Sequence, residues 1–310
     1  MKNILVLLAF SMLALMLNAQ PVELNTAKGT IYGTLQMPST NGQVPLALII
    51  AGSGPTDRDG NNTSMKNNSL KMLADSLQVH GIASLRYDKR GIAASVGAGL
   101  DESELRFENY IDDAVAWVNL LKEENWFSKI YIIGHSEGSL IGMVAAAISP
   151  VDGFISLAGA GFKSGDLLKT QLSGQPETVK NVCYSIIDSL ETGKTVSNVD
   201  PMLYSLFRPS VQPYMISWFK YNPCTEIQKL TIPVLIVQGT TDIQVSVDDA
   251  ANLKKAKPDA AISIIEGMNH ILKNAPADKQ ANLATYSDPV LPLNEDLIKS
   301  VTGFIKNFVN

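Results

Sequence analysis

The residue best placed to do chemistry is Ser136, in the run Gly134-His135-Ser136-Glu137-Gly138. A β-branched stretch, residues 130–133, precedes it, and an apolar stretch reaching residue 148 follows. That context predicts a sharp strand-to-helix turn that lifts the hydroxyl clear, with glycines where a side chain would strike the adjoining strand or helix. A serine at its ordinary pKa is a poor nucleophile; it needs a base within reach and a third group to hold that base. The chain has three histidines. His80 closes an expected helix ahead of Gly81, and the ring of His135 is expected to leave the turn in another direction. His270, in Gly267-Met268-Asn269-His270 after the last expected strand, is therefore the candidate base. Asp242, reached from another strand through Gly239-Thr240-Thr241, is the candidate acid, which gives the chain order Ser, Asp, His. Asp248 and Asp249 are rivals, but they open an expected helix, where carboxylates suit the positive end of the dipole.

Attack by Ser136 on a carbonyl would create an oxyanion, which needs backbone donors in a dry site. The amide of Glu137, directly after the nucleophile, is one candidate. The amide of Ser53, in Ala51-Gly52-Ser53-Gly54 after an apolar strand, is the other. The Glu137 carboxylate itself reads as a first-turn helix charge. Other motifs fail on detail. Asp57-Arg58-Asp59-Gly60-Asn61 imitates a calcium loop, but its glycine comes early and Asn68 stands where a bidentate Glu is needed. Gly52-Ser53-Gly54 lacks the Gly-Lys-Ser/Thr end of a phosphate loop. No His-Glu-x-x-His occurs. Neither a metal nor a cofactor is expected.

The elements that must position these residues follow an alternating pattern. Residues 31–37, 46–50, 82–86, 130–133, 154–158, 234–237 and 261–265 read as strands, the second as one buried on both faces. Residues 67–80, 107–122 and 301–308 read as helices. Strands alternating with helices predict an α/β fold with a doubly wound, mostly parallel sheet. The alternation fails over residues 161–229, which read as an inserted helical cap over the sheet's ligand end, leaving residues 20–160 and 230–310 as the core. The aromatic residues of that cap, among them Tyr214 and Trp218, could line an acyl site or pack the cap on the sheet.

Residues 1–19 stand outside this core. Lys2 precedes an apolar run over residues 4–17 that is shorter than a membrane span, and Leu17-Asn18-Ala19 offers a cleavage site. A cleaved leader, a mature chain starting at Gln20, no membrane association thereafter and a secreted, periplasmic location are the expectations. The net charge of −5, without a dense basic stretch, argues against nucleic acid. Two cysteines, Cys183 and Cys224, are too few for a disulfide scaffold, though a single bond is open to them.

Three motifs together resemble the α/β-hydrolase superfamily, in particular its bacterial serine esterases and serine-aminopeptidase-like hydrolases. They are Gly52 to Asn61, the segment Tyr87-Asp88-Lys89-Arg90-Gly91 with Ser95, and the Gly267 to His270 ending. The resemblance spans nearly the whole mature chain. It implies the α/β-hydrolase fold, a loop at Asp57–Asn61 bordering the site, and a turn locked by Asp88 with Arg90. It departs from the common pattern at Ala51, where His is usual. The expected activity is cleavage of carboxylic esters with short to medium acyl chains. An aminopeptidase or amidase reaction is the alternative, for which Asp188, Glu191, Asp200 or Glu226 would bind a substrate amine. A third reading is a silent binding protein that kept the fold. A small ester or short peptide is the expected partner in either catalytic case.

Overall fold

The computed structural model describes residues 19–40 and 42–308. The expected leader, apart from Ala19, lies outside the described residues.

Eight strands form one sheet, in the order β1-β2-β4-β3-β5-β6-β7-β8. In chain order these are β1 (Ala19–Thr26), β2 (Gly29–Gln36), β3 (Val44–Ile50), β4 (Ala83–Tyr87), β5 (Phe127–His135), β6 (Gly153–Leu157), β7 (Val234–Gly239) and β8 (Ala261–Ile265). From β4 to β8 the pairing is parallel; β1 and β2 add an antiparallel hairpin at one edge. All seven residues of β3 are buried, as its unbroken apolar sequence requires of a central parallel strand. β1 was not among the expected strands. Beside exposed Gln20, Pro21, Glu23 and Asn25 it offers only Val22 and Leu24 as an apolar alternation, too short to read. Its order comes from the ladder with β2, which runs from Ala19 opposite Gln36 to Thr26 opposite Gly29.

Helices cover both faces. α1 (Ser69–Val79), which contributes Leu70, Leu73 and Leu77, packs on one face with α11 (Glu295–Asn307), which contributes Leu297, Val301 and Ile305. The closing helix starts earlier than the expected residue 301 because Asn294 caps it, accepting from the Asp296 amide. α2 (Phe107–Glu123), α3 (Glu137–Ile148) and α9 (Val247–Ala256) pack on the opposite face. Between β6 and β7 lie α4 (Ser164–Leu172), α5 (Glu177–Glu191), α6 (Tyr204–Phe207), α7 (Gln212–Phe219) and α8 (Pro223–Gln228). The first four share an apolar cluster of their own, with Ile186, Ile187, Leu190, Phe207 and Phe219 at its centre. α8 instead sends Ile227 into the sheet's core. Short α10 (Lys279–Ala284) lies in the long connection from β8 to α11. No helix among the described residues is long and apolar enough to cross a membrane.

The winding decides where a site can form. From β3 the chain crosses to β4 on one side, while β5 pairs with β3 on the other. The carboxyl ends of β3 and β5 therefore flank a crevice at the point where the connections diverge, the position at which open parallel sheets bind ligands. Ser53 follows β3, and Ser136 follows β5.

Candidate active site

Ser136 has φ 55° and ψ −121°, a conformation costly for a residue with a side chain and held only where its surroundings enforce it. The enforcement is visible. Its amide donates to the Leu157 carbonyl at 2.9 Å. A methyl group on Gly134 would come 2.3 Å from the Gly138 carbonyl oxygen, and one on Gly138 would come 2.3 Å from the Ile50 oxygen. The turn can be this tight only because both positions lack a side chain.

His270 is the candidate base. Its Nε2 is 3.1 Å from Ser136 Oγ, and its Nδ1 is 2.8 Å from Asp242 Oδ2. Nδ1–H donates to the carboxylate, so Nε2 is left to accept from the serine. The Asp242 side chain is fully buried. Burial pushes its pKa up, but His270 and the amides of Val245 and Gln244 outweigh burial and hold it below the usual range. Gln238 Nε2 adds a further hydrogen bond at 3.0 Å. The rivals are elsewhere. Asp249 completes a capping box with Ser246 at the start of α9 and accepts from the Gly161 amide, and Asp248 sits in the same first turn. His80 is the exposed C-cap of α1.

His135 departs from the expectation that its ring points away from the site. The ring is buried, its Nε2–H donates to the backbone carbonyl of His270 at 2.8 Å, and the two ring centres are 5.0 Å apart. Burial, reinforced by His270, lowers its pKa to about 4. Being next to Ser136 in sequence does not separate it from the base, because β5 and the His270 loop end side by side.

The two candidate oxyanion donors also converge. A methyl group on Gly52 would lie 3.1 Å from Ser136 Cβ, so the Ala51–Gly54 loop backs directly onto Ser136. Glu137 is the first residue of α3, where amides have no intrahelical acceptor. Its carboxylate is more than a first-turn charge. It is buried, accepts from Tyr214 Oη of α7 at 2.6 Å, and lies 3.5 Å from Lys89 Nζ.

Several supporting residues had no role of their own read from the sequence. Lys89 is buried and donates to the Gly52 carbonyl. Asn269 is buried beside His270 and donates to Asn282 and Thr285, which ties the His270 loop to the α10 region. Lys273 is buried and donates to the carbonyls of Asn67 and Asp288, both at 2.6 Å. The Asp57–Asn61 loop is pinned to the sheet by Arg58–Asp88 and Asp59–Arg86 pairs, each at 2.7 Å. Asp88 and Arg90 both hold the turn after β4: Asp88 accepts from the Ala94 amide as well as from Arg58, and Arg90 donates to the Ala98 carbonyl as well as pairing with Asp113 of α2.

Two hollows meet at Ser136. The larger, about 560 Å³, lies beneath the α4–α7 helices against Leu140, Leu168, Leu206, Met215, Tyr214 and Trp218. The smaller, about 190 Å³, is bordered by His270, Thr56, Asn62, Gln244 and Tyr286. Of the inserted aromatics, Tyr214 and Trp218 reach the larger hollow, whereas Phe207 and Phe219 are buried among the helices.

This strand order, the strained serine turn and the histidine loop define the α/β-hydrolase fold. The family described as serine aminopeptidase, S33, matches residues 65–194, a span that holds Ser136 but neither Asp242 nor His270. Esterase EstD of Thermotoga maritima is 27% identical over 254 residues, covering 77% of this chain and 57% of EstD. The chain thus spans little more than half of that relative's length. Monoglyceride lipase of Rattus norvegicus is 22% identical over 250 residues, covering 74% of this chain and 76% of the lipase. Among solved structures, Est1E from Butyrivibrio proteoclasticus superposes with a TM-score of 0.60 at 20% identity, covering 92% of this chain and 99% of Est1E.

Proposed function

We propose that this protein is a carboxylesterase in which Ser136 is the nucleophile, His270 the general base and Asp242 the residue that orients it. The observation that carries the reading is the unbroken hydrogen-bonded line from Ser136 Oγ through both nitrogens of His270 to Asp242. Ser136 attacks the ester carbonyl while His270 Nε2 takes its proton, and Asp242 stabilises the imidazolium. The amides of Ser53 and Glu137 hold the oxyanion. His270 then protonates the leaving alcohol, and water repeats the sequence on the acyl-enzyme.

Because His270 must reach the leaving oxygen, the alcohol belongs in the small hollow that His270 borders. The acyl chain belongs in the larger apolar one, whose volume suits a medium chain. Ester rather than amide chemistry is favoured by the state of the inserted carboxylates. Asp188 and Glu191 pair with Lys169, Glu226 pairs with Lys229, and Asp200 caps a short helix. Each already has a partner, so none is poised for a substrate amine. The names of EstD and Est1E point the same way.

The test is hydrolysis of p-nitrophenyl esters from acetate to palmitate, beside aminoacyl p-nitroanilides, by the wild-type protein and Ser136→Ala. Wild-type turnover of esters is expected to peak at medium chains, and Ser136→Ala is expected to lose about 10^4- to 10^6-fold in kcat. Faster turnover of anilides than esters would transfer the protein to the aminopeptidase reading, and a modest loss in the variant would remove Ser136 from the mechanism. Leu168→Trp, which fills the larger hollow, is expected to cut octanoate turnover several-fold more than acetate turnover. Equal effects would put the acyl chain elsewhere. The same reading takes residues 1–19 as a cleaved export leader; N-terminal sequencing of the exported protein should then begin at Gln20, and retention of Met1 would refute it.

A further inference from the structure

A lysine with almost no exposed surface, at the back of a catalytic turn and outside the proton relay, calls for an explanation. Lys89 follows β4, and its side chain runs inward. Its ammonium has three neighbours: the carbonyl oxygen of Gly52, the carboxylate of Glu137 at 3.5 Å, and the face of the Tyr110 ring, whose centre is 5.0 Å away. The first two belong to the two halves of the candidate oxyanion hole. The Gly52 oxygen shares a peptide plane with the Ser53 amide, and a trans peptide points its C=O and N–H to opposite sides. Gripping the oxygen therefore fixes the direction of the N–H. On the other side, Lys89 and Tyr214 together hold the Glu137 carboxylate, whose own backbone amide is the second donor.

We infer that Lys89 is the positioning residue of the oxyanion hole, aligning the Ser53 and Glu137 amides by holding the Gly52 carbonyl and the Glu137 carboxylate at once. It does not touch the substrate. The inference rests on the proposed Ser136 mechanism and adds to it the group that preorganises the donors. It also accounts for burying a charge that costs desolvation, since an apolar residue would leave the Gly52 peptide free to turn. Tyr214 extends the arrangement: a residue of α7 closes the set, so the helices above the cleft and the oxyanion donors meet on one carboxylate.

Lys89→Met keeps the length of the stem and removes the ammonium. With p-nitrophenyl butyrate, kcat is expected to fall about 10- to 100-fold, less than loss of a donor outright, while KM stays within about threefold. Affinity for a trifluoromethyl ketone that mimics the tetrahedral adduct should weaken by the same factor as kcat/KM. The single variant leaves Glu137 buried and unpaired, which can itself destabilise the fold, so Lys89→Met/Glu137→Gln is measured beside it. Removing the orphan charge should restore the melting temperature and leave kcat low. Recovery of kcat together with stability would make Lys89 a structural ion-pair partner and overturn the inference, as would wild-type kcat in the single variant. Failure of the underlying mechanism would look different: a fluorophosphonate would not label Ser136 in the wild-type protein, and both readings would fall.

Discussion

His135 supports the His270 loop at the cost of acid stability. Its Nε2–H holds the carbonyl of His270, and its ring is buried with a pKa lowered to about 4, first by desolvation and then by His270. Because the folded value lies below the ordinary 6.5, the unfolded chain takes up a proton that the folded chain refuses once the pH falls below about 6.5. Stability is therefore lost as the pH drops from about 6.5 to about 4, by at most about 3 kcal/mol for this one residue, and the loss levels off when the folded ring also protonates. Urea unfolding of wild-type protein and His135→Gln at pH 7.5 and pH 5 checks this. The gap between the two should narrow by about 2 kcal/mol at the lower pH; a gap independent of pH would mean that the folded ring protonates as readily as a free one. The hydrogen-bonded grouping of Ser136, His270 and Asp242 was legible because few residues could form it: the chain has three histidines, and the tight serine turn demands its glycines. Lys89 was not legible. Between Asp88 and Arg90 a lysine reads as solvated charge, and nothing in the local sequence shows that it turns inward toward Gly52, far away in the chain.

Between elements, the join of greatest consequence is the one that seats α6 and α7 over the cleft. Glu102, in the core loop ahead of α2, accepts from Arg208 Nε at 2.7 Å, from Arg208 Nη2 and from the Ser210 hydroxyl. Arg208 holds the Glu102 carboxyl below its usual range, so this tie stays ionised wherever an esterase is assayed. Both partners keep 37% of their side-chain surface exposed, so the pair is screened and adds little to global stability. Its effect should instead be local. Glu102→Gln is expected to speed proteinase K cleavage within residues 194–210 several-fold and to raise KM for octanoate esters, with a melting temperature within about 2 °C of wild type. An unchanged cleavage rate would mean that the apolar cluster of these helices, and not this tie, seats them. Buried parallel strands such as β3 were readable as unbroken apolar runs. Within residues 161–229, α5 shows a helical period in Cys183, Ile186, Ile187 and Leu190, whereas α6 and α8 are too brief to show one and were readable only as part of an insertion. β1 was missed because Val22 and Leu24 are its only inward apolar residues, and its ladder hydrogen bonds can be made by any polar sequence.

For the molecule as a whole, the question is whether a fold with an expected export leader needs a covalent staple. A sheet of eight strands covered on both faces buries enough apolar surface to stand without one. Both cysteines are accordingly free thiols. Cys183 of α5 is a small apolar residue in the cluster with Ile186 and Phe207, while Cys224 of α8 donates to the Gly161 carbonyl at 3.1 Å. Desolvation raises the pKa of each thiol, which keeps both protonated and slow to react. Three consequences follow together. The melting temperature should be the same with and without dithiothreitol. The native protein should react slowly with a thiol reagent such as DTNB. The unfolded protein, prepared without reductant, should take up two equivalents. A melting temperature several degrees lower in reductant, with no reactive thiol in the unfolded chain, would show instead that an oxidising compartment joins the two cysteines. The α5 and α8 helices would then have to move together for the bond to form.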